Sequence, residues 1–588
     1  MNVGLFWQAK TSFRGITRRS DHLWLGVLLL CGALLSGCSS TTPEEDTSTT
    51  AAENTGETDA ERCRKKLAAA IQRVKPGTLM LQDKPERAIN GLNAWIASCA
   101  KDELEELTVT DEVLSLTGDS PRVSARRFTV NDAAYIRDCL LLRDLTNAIW
   151  ERLEAAQSEG AATDAARVGA IFDWLVRNVS LLNTDEERLP LSLFDVLMTG
   201  RGTPADRAWI FAECLRQQQI DAVLIETDAA VAAGGSLEQA TWLVAVLVEN
   251  GSLVFDPAAG TPVMSATDGS VLSLPQLKEH ARWQSPRASV IAQLAAFAPR
   301  MLVLQEQLAA EDSAILYEEL TGQISDILPL TERIDTGSGG LLSGDAVAVW
   351  TFPEAQVVAA NSLNEAERLE YSLLMRPFGG PYQREEFEPE SMEELTTVPE
   401  ELSEEERKAL VQNRLMKNFE QVIRTSDEKF GTPSQGLRKA RLRQLQGEDD
   451  TTVIQAYQQV RIASMETELK IRVPEVVQQE FGYPPIYVIP FPDIVREINE
   501  STTGDSLYWS AMCKMDRNEF GTAIGSFMHY RRQYTEGAKW TFPSLMNQAV
   551  CLIAQGRTED AVNYLEQANV PENPEQARVA SLLAELQK

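Results

Sequence analysis

The sequence predicts a mainly α-helical chain with one α+β module in its middle and a C-terminal helical repeat. Three observations predict it. Apolar residues recur at three- and four-residue spacing between 60 and 155, as in Leu67-Ile71 and Ile89-Leu92-Trp95-Ile96. Two strand-like runs, Trp242 to Val248 and Ser252 to Phe255, flank Glu249-Asn250-Gly251, a hairpin signal because Asn and Gly tolerate the positive φ of a tight turn. Finally, Ala511-Met512-Cys513 returns 38 residues later as Ala549-Val550-Cys551, and Ala523-Ile524 and Phe527 are answered by Ala561-Val562 and Leu565. Stacked helical hairpins produce such a period.

In chain order, residues 1–37 read as an export signal. Lys10, Arg14, Arg18 and Arg19 precede an apolar run from Leu23 to Leu35 that is short for a spanning helix. Its ending, Leu35-Ser36-Gly37-Cys38, resembles the bacterial lipoprotein signal. That resemblance implies acylation of Cys38 and lipid anchoring in the cell envelope, on the periplasmic face. Ser39 resembles the pattern passed on to the outer membrane. The alternative is an uncleaved membrane anchor, and either reading puts the protein at a membrane. Residues 38–59 are Ser, Thr, Glu and Ala with almost nothing apolar, a flexible tether.

Residues 60–155 form the expected helical domain. Cys63 opens one helical run and Cys99 closes the next, so in an antiparallel hairpin the two ends meet. A Cys63–Cys99 disulfide fits that geometry in an oxidising compartment, although connectivity is not fixed by sequence.

Charge and composition exclude several functions. The net charge of −31 should repel nucleic acid and anionic lipid. There is no basic stripe, Gly-rich phosphate loop or Cys/His cluster, and three histidines leave little for a zinc site. No cofactor, metal or nucleic-acid partner is expected.

The α+β module occupies residues 160–270. Its frame reads Gly202-Thr203-Pro204-Ala205-Asp206-Arg207-Ala208, an amphipathic run from Trp209 to Gln218, Ile220-Asp221-Ala222-Val223-Leu224-Ile225, Ala240-Thr241-Trp242, and Leu253-Val254-Phe255-Asp256-Pro257. This order resembles the transglutaminase-like family, a papain-related fold, over about residues 160 to 265. The family's cysteine nucleophile falls on Pro204 and its histidine on Ala240. Its aspartate alone is kept, as Asp256. A thiolate at a helix N-terminus with an adjacent base would carry the chemistry, so the resemblance implies a non-catalytic domain.

The residues present have plainer roles. Pro204 suits a first helical turn, and Thr203 with Asp206 forms a capping-box pattern. Asp256 precedes Pro257 as turn aspartates do, and Trp242 reads as core. Cys214, on the apolar face with Ile210, Phe211 and Leu215, reads as a buried, inert thiol. The alternative function is a cysteine-dependent hydrolase or acyltransferase using Cys214, with a remote base such as His280.

Residues 271–335 are expected as a helical extension, and 336–402 as a loop and acidic linker with Pro389 and Pro399. Ser403 to Glu406 is a capping-box start for a helical region over 403–500, with a candidate degenerate repeat at Arg443 to Arg461. Tyr483 to Phe491, rich in proline and aromatics, reads as a packed linker or a clasp. Residues 503–588 resemble tetratricopeptide repeats, whose concave surface implies binding of peptides or of other envelope proteins. The expected function is therefore a membrane-anchored scaffold or protein-binding factor. A purely structural lipoprotein is a further alternative.

Overall fold

The computed structural model describes residues 58–79, 85–109, 124–156, 163–182, 191–227, 241–248, 251–265, 269–277, 286–290, 298–316, 347–349, 432–472, 484–491, 493–534 and 538–587, with scattered positions between 399 and 417 and position 478. These residues are mostly helical. The export segment, Cys38 and nearly all of the tether lie outside them, as do Ala240, His280 and most of the acidic linker. No described helix is long and apolar enough to cross a membrane.

A six-stranded sheet organises the middle of the chain. Its strands are β3 (Ala222–Thr227), β4 (Thr241–Val248), β5 (Gly251–Asp256), β6 (Thr261–Pro262), β7 (Pro286–Val290) and β8 (Val347–Val349), in the order β6-β5-β4-β3-β7-β8. All pairs are antiparallel except β7–β8. Successive side chains of a strand face opposite ways, and here both faces are covered. Leu243, Ala245 and Val254 join one apolar core, whereas Leu224, Val244, Val246 and Phe255 join another.

The first face packs on helices α1 (Asp59–Val74), α2 (Glu86–Cys99), α3 (Lys101–Glu106) and α4 (Val130–Ala156). Thr58 and Glu61 form the capping box that starts α1. Cys63 and Cys99 are bonded across α1 and α2, with Cα atoms 5.6 Å apart. Helix α4 serves both cores: Ile136 and Leu140 lie in the first, Leu142 and Leu145 in the second. The N-terminal helices are thus one side of the sheet and not a separate globule.

The second face packs on α5 (Asp164–Asn178), α6 (Leu193–Thr199) and α7 (Pro204–Gln217). Strands β1 (Ser180–Leu181) and β2 (Arg201–Gly202) pair in parallel between them. Phe172 of α5, Phe211 of α7 and Phe255 of β5 meet with ring centroids 4.8 to 5.3 Å apart. Tilted and edge-on aromatic contacts of this kind add about 0.5–1.5 kcal/mol each beyond burial. They fix α7 against the end of β5.

The expected helical extension over 271–335 is corrected. It holds α8 (Leu274–Leu277) and α9 (Pro299–Gln307), but Pro286–Val290 is strand β7, paired along β3. The linker over 336–402 likewise contributes β8, so the sheet reaches beyond the module boundary at 270. Both strands are short and hold their place through partners far away in sequence, which local periodicity does not register.

The C-terminal part is a run of helices, each packed on the next: α10 (Thr432–Leu445), α11 (Asp450–Ser464), α12 (Asp493–Asp516), α13 (Phe520–Gln533), α14 (Thr541–Ala554), α15 (Thr558–Ala568) and α16 (Gln576–Leu586). The small residues of the 38-residue period, Ala523 and Ala561, are fully buried, as are Phe527 and Leu565. The helical reading of 403–500 is corrected at one insertion. Strands β9 (Glu468–Arg472) and β10 (Ile486–Pro490) form an antiparallel hairpin between α11 and α12. Tyr483 lies outside the described residues, but most of the segment after it is β10.

Candidate functional site

Helix α7 begins with the expected cap. Thr203 N donates to Asp206 Oδ2 at 2.8 Å, and Asp206 N donates back to Thr203 Oγ1 at 3.2 Å. Pro204 sits in the first turn, where its missing N–H costs nothing. Asp256, buried at the end of β5, accepts from Ala258 N and Ala259 N at 2.9 Å each. Its Oδ1 thereby closes a turn. Ala240 lies outside the described residues, and the chain continues into β4 with Trp242 half-buried against the second core.

Between the two motif ends lies Arg207, one turn into α7 and fully buried. It donates from Nε to Val179 O at 2.6 Å, from Nη1 to Pro257 O at 3.1 Å, and from Nη2 to Glu575 Oε1 at 2.6 Å. Glu575, just ahead of α16, also accepts from Leu181 N at 3.3 Å and pairs with Arg578 at 3.3 Å. Burial pushes the Glu575 carboxyl up, but the Arg207 and Arg578 guanidiniums outweigh it and hold the carboxyl below its ordinary value. A buried charge this well bonded is tolerated; alone it would not be.

The turn after Asp256 is shaped to receive the C-terminal helix. Gly260 has φ +62°, and a Cβ there would lie 2.9 Å from Arg578 Cδ. A second close approach occurs at Gly200, the left-handed cap of α6, where a Cβ would lie 2.4 Å from the Trp509 ring of α12. Arg441 of α10 stacks 3.5 Å from the centroid of Trp509 and donates from Nη2 to Leu197 O at 2.9 Å. The apolar core beneath α5–α7 continues through α10–α13 to Trp540 and Cys551. Module and helical run are one packed body.

Cys214 lies fully in this core, and burial, with Glu213 beside it, pushes its thiol far above the ordinary range. The other free cysteines of the described residues, Cys139, Cys513 and Cys551, are buried too. His280 lies outside the described residues, and His529 is exposed on α13. Among the described residues no group of three His, Cys, Asp or Glu side chains could hold a metal ion.

Two features escaped the sequence reading. Arg207 begins the apolar stripe that continues with Ile210, Phe211 and Cys214, and a cation at that spacing signals a buried partner. The second is a groove of about 340 Å³ between α11, α12 and α13. In addition, the large apolar side chains that stand exposed among the described residues, Ile462, Met465, Ile486 and Val488, all belong to the end of α11 and to β10.

Comparison with protein-family models, with curated proteins and with solved structures finds no match to the chain.

Proposed function

We propose that the protein is a cell-envelope lipoprotein, held at the membrane through acylated Cys38, that serves as a scaffold for other envelope proteins. In this reading the middle of the chain is a transglutaminase-like module without its catalytic cysteine and histidine, and the C-terminal helices are tetratricopeptide-like repeats. One observation carries it: the Arg207–Glu575 pair and the core around Trp509 bind the repeats to the first turn of α7. Ground beside the vestigial Pro204 and Asp256 is given to internal packing. The buried, strongly raised Cys214 thiol supports the non-catalytic assignment.

Partners are then met on surfaces left open by that packing. The β9–β10 insertion is the favoured place, because a two-stranded hairpin is marginal alone and this one exposes Ile486 and Val488. The test is cross-linking of the full chain in intact cells beside a variant carrying Ile486→Glu and Val488→Glu. A defined envelope protein captured by the native chain and lost in the variant supports the scaffold. Capture no greater than that of other lipoproteins overturns it. Truncation before α12 is the wrong control, since it removes Trp509 and Glu575 from the shared core.

A further inference from the structure

The groove between α11, α12 and α13 brings two cations and an imidazole together in a chain of net charge −31. Arg461 of α11, Lys514 of α12 and His529 of α13 line it, with the hydroxyls of Ser510 and Ser526 between them. Among the described residues neither Arg461 nor Lys514 makes a salt bridge. Arg461 Nε is shielded from solvent and has no hydrogen-bond partner. Lys514 Nζ donates to a neutral group, Ser526 Oγ, at 2.8 Å. The nearby carboxylate, Glu519, is engaged 2.9 Å from Arg517.

A second observation concerns space. Gly525 stands in the interior of α13, where glycine costs about 1 kcal/mol relative to alanine. Neither strain nor packing accounts for it: a Cβ at Gly525 would meet nothing within 4 Å, and its φ is not in the left-handed region. It lines the groove, so its missing side chain leaves the groove open. A volume of about 340 Å³ falls within the range of small-molecule sites, which is roughly 300–1,000 Å³.

We propose that this groove binds a small oxyanionic solute, carboxylate- or phosphate-bearing, through Arg461, Lys514 and His529. The guanidinium supplies a fork of donors matched to an oxyanion, the ammonium a point charge, and the imidazole and serines orienting hydrogen bonds. Burial, and after it the repulsion from Arg461, holds Lys514 below its ordinary pKa, and a bound anion would relieve that repulsion. The site does not depend on the scaffold reading, since a protein partner could be absent while the solute binds.

The experiment is calorimetric titration of the full chain in two arms, with inorganic phosphate and with succinate, at low ionic strength. At least one probe should saturate a single site, and the arm that does so identifies the headgroup chemistry. Arg461→Gln combined with Lys514→Met should weaken that binding at least tenfold. Gly525→Leu keeps every cation, fills the open space and favours the helix, and it too should weaken binding at least tenfold. Failure of both probes to saturate overturns the proposal, as does binding that survives either variant.

Discussion

The buried junction at Arg207 and the open groove at Arg461 use the same kind of side chain for opposite ends. At the junction each of the three guanidinium nitrogens donates to a carbonyl or carboxylate within 3.1 Å. In the groove Arg461 Nε has no hydrogen-bond partner among the described residues, and Arg461 and Lys514 repel one another. Charge completed within the chain holds two parts of a fold together. Charge left incomplete at a concave surface is available to something that is not part of the chain.

The largest expected effect lies at the junction. Removing one partner of a buried ion pair strands the other, at a cost of about 3–5 kcal/mol. Arg207→Ala should therefore lower the denaturant midpoint severely. Arg207→Met with Glu575→Leu removes both members of the pair, leaving only Arg578 and Leu181 N without their carboxylate, and should recover part of the loss. If the double variant is as unstable as the single one, the pair itself and not its burial provides the attachment.

Gly200→Ala should come next. It combines a left-handed backbone with a Cβ 2.4 Å from the Trp509 ring, and strain plus overpacking of this kind costs about 2–4 kcal/mol. Trp509 would have to leave its place against α6, which its fluorescence would report. An unshifted emission maximum would count against the tight approach of α12.

Acid should loosen the junction more gently. Glu575 has a folded pKa below its ordinary value of 4.5, so it contributes stability fully above that value. The contribution is lost as pH falls through the lower folded value. The Glu575→Leu, Arg207→Met variant should lack this component of the acid transition, and a denaturant midpoint followed between pH 6 and pH 3 would reveal the difference.

The smallest effect is expected in the groove. Lys514→Met removes a half-buried cation that, among the described residues, bonds to a serine alone, and stability should change by about 0.5 kcal/mol or less. A loss comparable to that of Arg207→Ala would mean that the groove cation is structural after all, erasing the contrast between the two regions.

How much of this was legible in the sequence depends on how far the partners lie apart. The α7 cap needs only Thr203 and Asp206, three residues apart, and is readable. The β4–β5 hairpin, closed at Val248 and Gly251, is equally local. The buried alanines Ala523 and Ala561 follow from a repeat that the sequence displays. Strand β7 was misread as helix because its partner β3 lies some sixty residues earlier. The insertion of β9 and β10 was missed since Tyr483 to Phe491 has no alternation strong enough to outweigh its prolines. Arg207 could be suspected from its place in an apolar stripe, but nothing local points to Glu575, 368 residues away. The groove was invisible for the same reason: its two cations and its imidazole come from three different helices.

That separation of 368 residues also sets a schedule. A ribosome adds roughly 5–20 residues per second, so on the order of 20 to 70 s pass between the synthesis of Arg207 and that of Glu575. During that interval α7 can form, capped by Thr203, but its guanidinium has no carboxylate to meet, and until Trp509 is made Gly200 has no indole to cover it. The centre of the chain is therefore finished by its last helices, and a nascent chain halted in α12 would keep the buried Arg207 charge waiting.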